Sequence, residues 1–244
     1  MSVYKEELGF PLFHGTSSIF LDSINQSGLG GENVSKKFEI NAMFSQVVDA
    51  FNSKYKDCNW WIGEGFICEK MVRQEVTNGG FNFRYGGVYL TPSLKTAKNY
   101  ATSNKYGSEL ISYFIRSYEE LFKLDPMLAD KIFPIAHPLR QLIALNPEPV
   151  VLEVVGITKD CLVTEQGEPI EEQLELMRQF PEEIWQQFNF ESTKPISWEN
   201  IKQIGPKHLT NCLRVIRNAW HFYYALRFVF KVVCGSFGIA LLTP

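Results

Sequence analysis

The spacing of apolar positions divides the chain into short strands and longer helices. A short strand is predicted to end at His14, followed by a helix from about Ser18 to Ser27 that Gly28 and Gly30 stop. Helical spacing returns from about Glu39 to Tyr55, and a Gly-, Asn- and aromatic-rich stretch then leads into a strand at Gly87–Leu90. Thr91 is placed to cap a helix from about Pro92 to Ser103, with Leu94, Ala97 and Ala101 on its apolar face. Helical patterns recur over Ser108–Leu124 and Leu128–Leu145, the second interrupted by Pro134 and Pro138. The β-branched run between Pro149 and Gly156 predicts a strand. Glu171–Phe188 reads as helical with a break near Pro181, and Ile196–Ile204 reads as extended. This irregular mixture predicts an α+β fold, and with no repeat or Gly/Pro/Ser-rich linker it predicts a single domain over residues 1–244.

Composition narrows the function classes. A 244-residue chain with 45% hydrophobic and 14% aromatic residues can bury a core, which excludes disordered and fibrous proteins. A net charge of -3 argues against a protein that coats nucleic acid through global charge. The charge is unevenly spread, however. From Asn200 to Pro244 there is no Asp or Glu, and Lys202, Lys207, Arg214, Arg217, Arg227 and Lys231 give +6, which leaves -9 on the first 199 residues. Either this segment has its own partner or it offsets Glu165–Glu183, where seven Glu stand against Arg178 alone. The five cysteines are scattered without a C-x-x-C pair, so neither a disulfide framework nor a metal site is expected. Met1–Phe10 lacks the basic-then-apolar order of a secretory signal, and the expected location is cytoplasmic. Ala219–Leu242 could span a bilayer by length, but Arg227 and Lys231 lie inside it. A helix over about 207–235 would instead gather Arg214, Arg217, His221, Arg227 and Lys231 in a sector of about 140°, a basic stripe and no membrane span.

Two segments carry candidate chemistry. In Phe13-His14-Gly15-Thr16 a strand delivers an imidazole beside a residue with no side chain, where a flat ligand can reach peptide N–H and C=O. Gly86-Gly87-Val88-Tyr89-Leu90-Thr91-Pro92-Ser93 leads into Ala97-Lys98-Asn99-Tyr100-Ala101, a strand-turn-helix unit that could hold two phenol rings around one aromatic ligand.

In this order the segments resemble the diphtheria-toxin and poly(ADP-ribose) polymerase branch of the ADP-ribosyltransferase superfamily. That branch has His-Gly-Thr/Ser on its first strand, a helix ending in Ile-x-x-x-Gly-Leu, a Gly-x-Tyr strand and a helix with Ala-x-Tyr. Ile24-Asn25-Gln26-Ser27-Gly28-Leu29 is similar to the second element, and Tyr89 and Tyr100 stand eleven residues apart, as in the polymerase-like members. The resemblance covers residues 12–30 and 86–101, and more weakly 150–156. It implies a split β-sheet core with helical insertions, NAD+ as co-substrate and no metal. His14 would hold a ribose hydroxyl, Gly15 would clamp the nicotinamide carboxamide with Thr16 beside it, and Tyr89 and Tyr100 would sandwich the ring. A late glutamate would stabilise positive charge on the ribose and orient the nucleophile. Glu199, in Trp198-Glu199-Asn200-Ile201-Lys202-Gln203-Ile204-Gly205-Pro206, is the candidate and Glu191 the alternative. Polymerase-like members carry a serine three residues before the second tyrosine, where this chain has Ala97.

With no regulatory domains on the chain, transfer of a single ADP-ribose is expected. Trp220, Phe222, Tyr223 and Tyr224 among the terminal cations could stack on bases, pointing to single-stranded RNA or DNA as acceptor. The alternative for these aromatics is a place in the core. A free-standing transferase of this kind resembles the toxin of a bacterial toxin-antitoxin or antiphage system, which implies a neutralising antitoxin partner. The competing readings are a protein-directed transferase, an NAD+ glycohydrolase, an RNA 2′-phosphotransferase relative and an NAD-binding module without activity. No basic cluster near His14 supports the phosphotransferase.

Overall fold

The computed structural model describes residues 6–74 and 86–204. The basic helix expected over 207–235 and the apolar run Ala219–Leu242 lie outside the described residues.

Strand β1 (Leu12–Ser17) runs into a 3-10 turn and α1 (Leu21–Ser27). Gly28 stops α1 with φ +82, where its N–H bonds the Ile24 carbonyl at 2.9 Å. Then come α2 (Val34–Lys37), α3 (Ile40–Ala50) continued by a π-helical turn to Tyr55, and α4 (Asn59–Arg73). Strand β2 (Val88–Leu90) leads to α5 (Leu94–Ser103), α6 (Glu109–Leu124), α7 (Pro126–Ile132) and α8 (Pro138–Ile143). Next are β3 (Pro149–Val154), β4 (Leu162–Thr164), α9 (Glu171–Gln179), β5 (Phe190–Ser192) and β6 (Ile201–Ile204). The fold is α+β, as the pattern predicts.

The strands form two antiparallel three-stranded sheets, one in the order β1-β3-β6 and the other β2-β5-β4. A single bridge joins them, in which Phe13 N–H donates to the Thr91 carbonyl at 2.7 Å and Thr91 N–H to the Phe13 carbonyl at 2.9 Å. Thr91 is therefore a bridge residue just after β2. The cap of α5 falls two places later on Ser93, whose hydroxyl accepts from Thr96 N–H at 3.2 Å.

Side-chain alternation gives the first sheet two covered faces. Phe13 and Val151 meet Ala97 and Ala101 of α5, while Leu12, Val150, Leu152 and Val154 join the main core with α3 and α6. In α6, Leu110, Phe114, Tyr118 and Leu121 recur at three- and four-residue intervals and are buried, and Ser108 caps the start by accepting from Ile111 N–H at 3.2 Å.

Helix α4 and strands β4 and β5 are not legible in the sequence pattern. Gly63 and Gly65 weaken the helical signal of α4. Its buried face of Trp61, Gly65, Cys68 and Met71 works because Trp61 lies flat across Gly65 and stacks on Phe51 at 4.8 Å. The two strands have three residues each, too few to show a period.

Candidate functional site

A cavity of about 380 Å³, within the range of small-molecule sites, opens where the two sheets part. His14, Gly15, Thr16, Tyr89 and Tyr100 all line it.

The parting follows from one substitution in the hydrogen-bond ladder. The Phe13–Thr91 pair exchanges both of its bonds, and in an antiparallel ladder the next such pair would be Gly15 with Tyr89. That pair does not form. The Tyr89 carbonyl instead accepts from Nδ1 of His14 at 2.9 Å. Gly15 N–H and C=O, which by alternation leave β1 on the edge away from β3, border the cavity with no backbone partner among the described residues. A peptide unit with donor and acceptor side by side complements a primary carboxamide. The lack of a side chain at Gly15 has a second consequence: an added Cβ would lie 2.6 Å from the Ala97 carbonyl oxygen, 3.0 Å from Ala101 N and 3.2 Å from the Tyr100 ring. Glycine is what lets α5 bring Tyr100 against the strand.

A carbonyl can only accept, so His14 carries its proton on Nδ1, and Nε2 is left as an acceptor. Burial holds the imidazole below its ordinary value of 6.5, offset in part by the bond to Tyr89. The ring is therefore neutral at physiological pH. An NMR titration that resolves His14 among the four histidines should give a midpoint below 6.5 and the Nδ1–H tautomer. A folded-state value below the unfolded one means that this group's stabilisation is present above pH 6.5 and is lost as pH falls toward the folded midpoint. A midpoint at or above 6.5 would contradict the burial.

Tyr100 keeps 41% of its surface exposed, while its hydroxyl accepts from Glu109 N–H at 3.3 Å. Burial of the phenol end pushes its pKa to about 12, with the Glu109 carboxylate and Tyr89 phenol adding to the rise, so it stays neutral. Tyr89 stands directly opposite Glu191 on β5, so both side chains leave the same face of the second sheet. The Glu191 carboxylate leans over Gly87, where an added Cβ would collide with Oε1.

The carboxylate expected from the sequence is elsewhere. Neither late glutamate is among the residues that line the cavity: Glu199 is exposed on the 3-10 turn Trp198–Asn200, before β6 and separated from β1 by β3, whereas Glu191 lies against Gly87, which does line it. Thr96, next to Ala97, borders the cavity but gives its hydroxyl proton to Ser93 at 3.0 Å. Glu32, Glu109, Glu165 and Asn189 also line the cavity, and no sequence signal marks them. Glu109 reads as an ordinary first-turn acid after a capping serine, and Glu32 is engaged by Lys37 at 2.7 Å and Ser23 at 2.6 Å.

No protein-family model, curated protein or solved structure matches the chain. Among the described residues, no helix is long and apolar enough to cross a membrane.

Proposed function

We propose that the chain is an NAD+-dependent mono-ADP-ribosyltransferase that uses the cavity between the two sheets as its nicotinamide site. The observation that carries this reading is the broken ladder beside two tyrosines: Gly15, with its peptide edge unpaired among the described residues, His14, Tyr89 and Tyr100 all border one space. The residues fit the co-substrate. Gly15 N–H and C=O match the carboxamide, and the phenol rings match a flat pyridinium.

Bound NAD+ supplies a ribose C1′ whose bond to nicotinamide breaks as an acceptor atom bonds to it, the electron pair leaving with the ring. His14 Nε2 accepts a ribose hydroxyl proton as a hydrogen bond and fixes the sugar against the strand edge. Tyr89 and Tyr100 hold the departing ring, and the Tyr100 phenol stays protonated. Glu191 replaces Glu199 as the late carboxylate in this account, since it shares the face of Tyr89. Its charge offsets the positive charge that develops on the sugar, and it takes the acceptor proton.

The acceptor is proposed to be single-stranded nucleic acid, on the strength of the acid-free basic segment Asn200–Pro244, and the protein to be a toxin with a neutralising partner. Incubation of the full chain with radiolabelled NAD+ and separate pools of RNA, single-stranded DNA and protein tests this. Label is expected in one nucleic-acid pool and absent with His14→Ala. Label in protein alone would move the acceptor class, nicotinamide release without label would identify a glycohydrolase, and neither would overturn the enzyme reading.

A further inference from the structure

A half-buried carboxylate with no matching cation borders the tyrosine slot. Glu109 opens α6, and its own backbone N–H holds the Tyr100 hydroxyl at 3.3 Å, which brings the residue to the far end of the Tyr100 ring from Gly15. Among the described residues its carboxylate has neither an ion pair within 4 Å nor a side-chain hydrogen bond. Arg116, two turns along the same helix, attracts it only at longer range and itself lies over the Tyr113 ring at 4.1 Å. No Lys or Arg is found among the described residues that line the cavity.

Such a carboxylate costs free energy where it stands, and a cation entering the cavity would recover it. Burial raises the Glu109 pKa, the sign expected of an acid short of positive charge. The neighbouring residues point the same way, since the face of a phenol ring attracts a cation and Tyr89 and Tyr100 both line the cavity. Aromatic faces with one acid at the edge form a site for a flat, positively charged ring.

We propose that Glu109 is the counter-charge that makes this slot select a cationic pyridinium over the same ring in neutral form. The inference rests on the reading that a nicotinamide ring lies between Tyr89 and Tyr100. It assigns Glu109 a task separate from the clamp at Gly15: the clamp recognises the carboxamide that charged and neutral rings share, and Glu109 recognises the charge. Before transfer the ring is cationic, and afterwards it is neutral nicotinamide. The preference therefore favours loading of the co-substrate and release of the product, and Glu109 acts as a specificity residue.

Calorimetric titration of the full chain with 1-methylnicotinamide and with nicotinamide, two probes that differ in ring charge, tests this without any turnover. The wild-type chain should bind the cationic probe about tenfold more tightly, the size expected of one charge pair combined with ring faces in a partly desolvated site. Glu109→Gln should bring the two affinities to within about twofold, with nicotinamide binding unchanged. Glu165→Gln, which removes another cavity acid, should leave the ratio as in wild type. Binding of both probes by Glu109→Gln with the wild-type ratio intact would overturn the role of Glu109 and leave the nicotinamide site standing. A parallel loss of both affinities would make Glu109 structural and also overturn the proposal. Failure of the wild-type chain to bind either probe would overturn the slot and the counter-charge together.

Discussion

Glu191→Gln is expected to lower the rate of transfer from NAD+ by at least about a hundredfold, while binding of nicotinamide stays close to wild type. The amide keeps the shape of the side chain and its reach across Gly87, but removes the charge proposed to oppose a developing cation and the proposed base for the acceptor proton. Binding should be spared because the proposed slot holds the ring through Gly15 and the two tyrosines, whereas Glu191, opposite Tyr89 in the β2–β5 register, is not among the residues that line the cavity. The matched variant Glu199→Gln should change the rate by no more than about twofold, since it alters an exposed turn outside the cavity. Steady-state rates of the two variants, measured with a nicotinamide titration of each, separate the alternatives. Full activity in Glu191→Gln together with loss in Glu199→Gln would reverse the assignment.

The second large effect is expected at Gly15. A methyl group there meets backbone atoms of Ala97 and Ala101, which cannot rotate away, so α5 must retreat from β1. Overpacking of this kind costs about 1–3 kcal/mol, and it falls on the contact that fixes Tyr100 against the strand. Gly15→Ala should therefore lower the melting temperature and also weaken nicotinamide binding by more than about tenfold, because the clamp and one ring face move apart. Ala101→Gly, which loosens the same interface without displacing the helix, should cost about 1 kcal/mol of stability and leave most of the affinity. Equal loss of binding in both variants would show that Gly15 matters through helix stability alone.

Much of the frame was legible because its elements carry strong local signals. The Ile24 to Leu29 run and the glycines after it fixed the end of α1, and the β-branched stretch from Pro149 marked β3. Tyr89 and Tyr100 could be placed on a strand and on the helix after it from Gly87 and the Thr91-Pro92-Ser93 turn. The split between the sheets could not, because it depends on a side chain taking the place of a backbone donor: His14 accepts no special spacing, and its bond to Tyr89 crosses 75 residues. The position of the late glutamates is hidden for a related reason. Residues Phe190–Ser192 have no periodicity to mark a strand, so Glu191 carries no sign of its partner Tyr89, whereas Glu199 sits in a run that reads as extended and is in fact a turn before β6. Glu109 was invisible in the same way, since only the path of α6 relative to Tyr100 brings it to the cavity.

The most direct measurement is a crystal structure of the full chain with nicotinamide bound. The account requires the ring to lie between Tyr89 and Tyr100, its carboxamide oxygen accepting from Gly15 N–H and its amide donating to the Gly15 carbonyl. A ring bound on any other surface, or one in the cavity whose carboxamide makes no contact with Gly15, would contradict it.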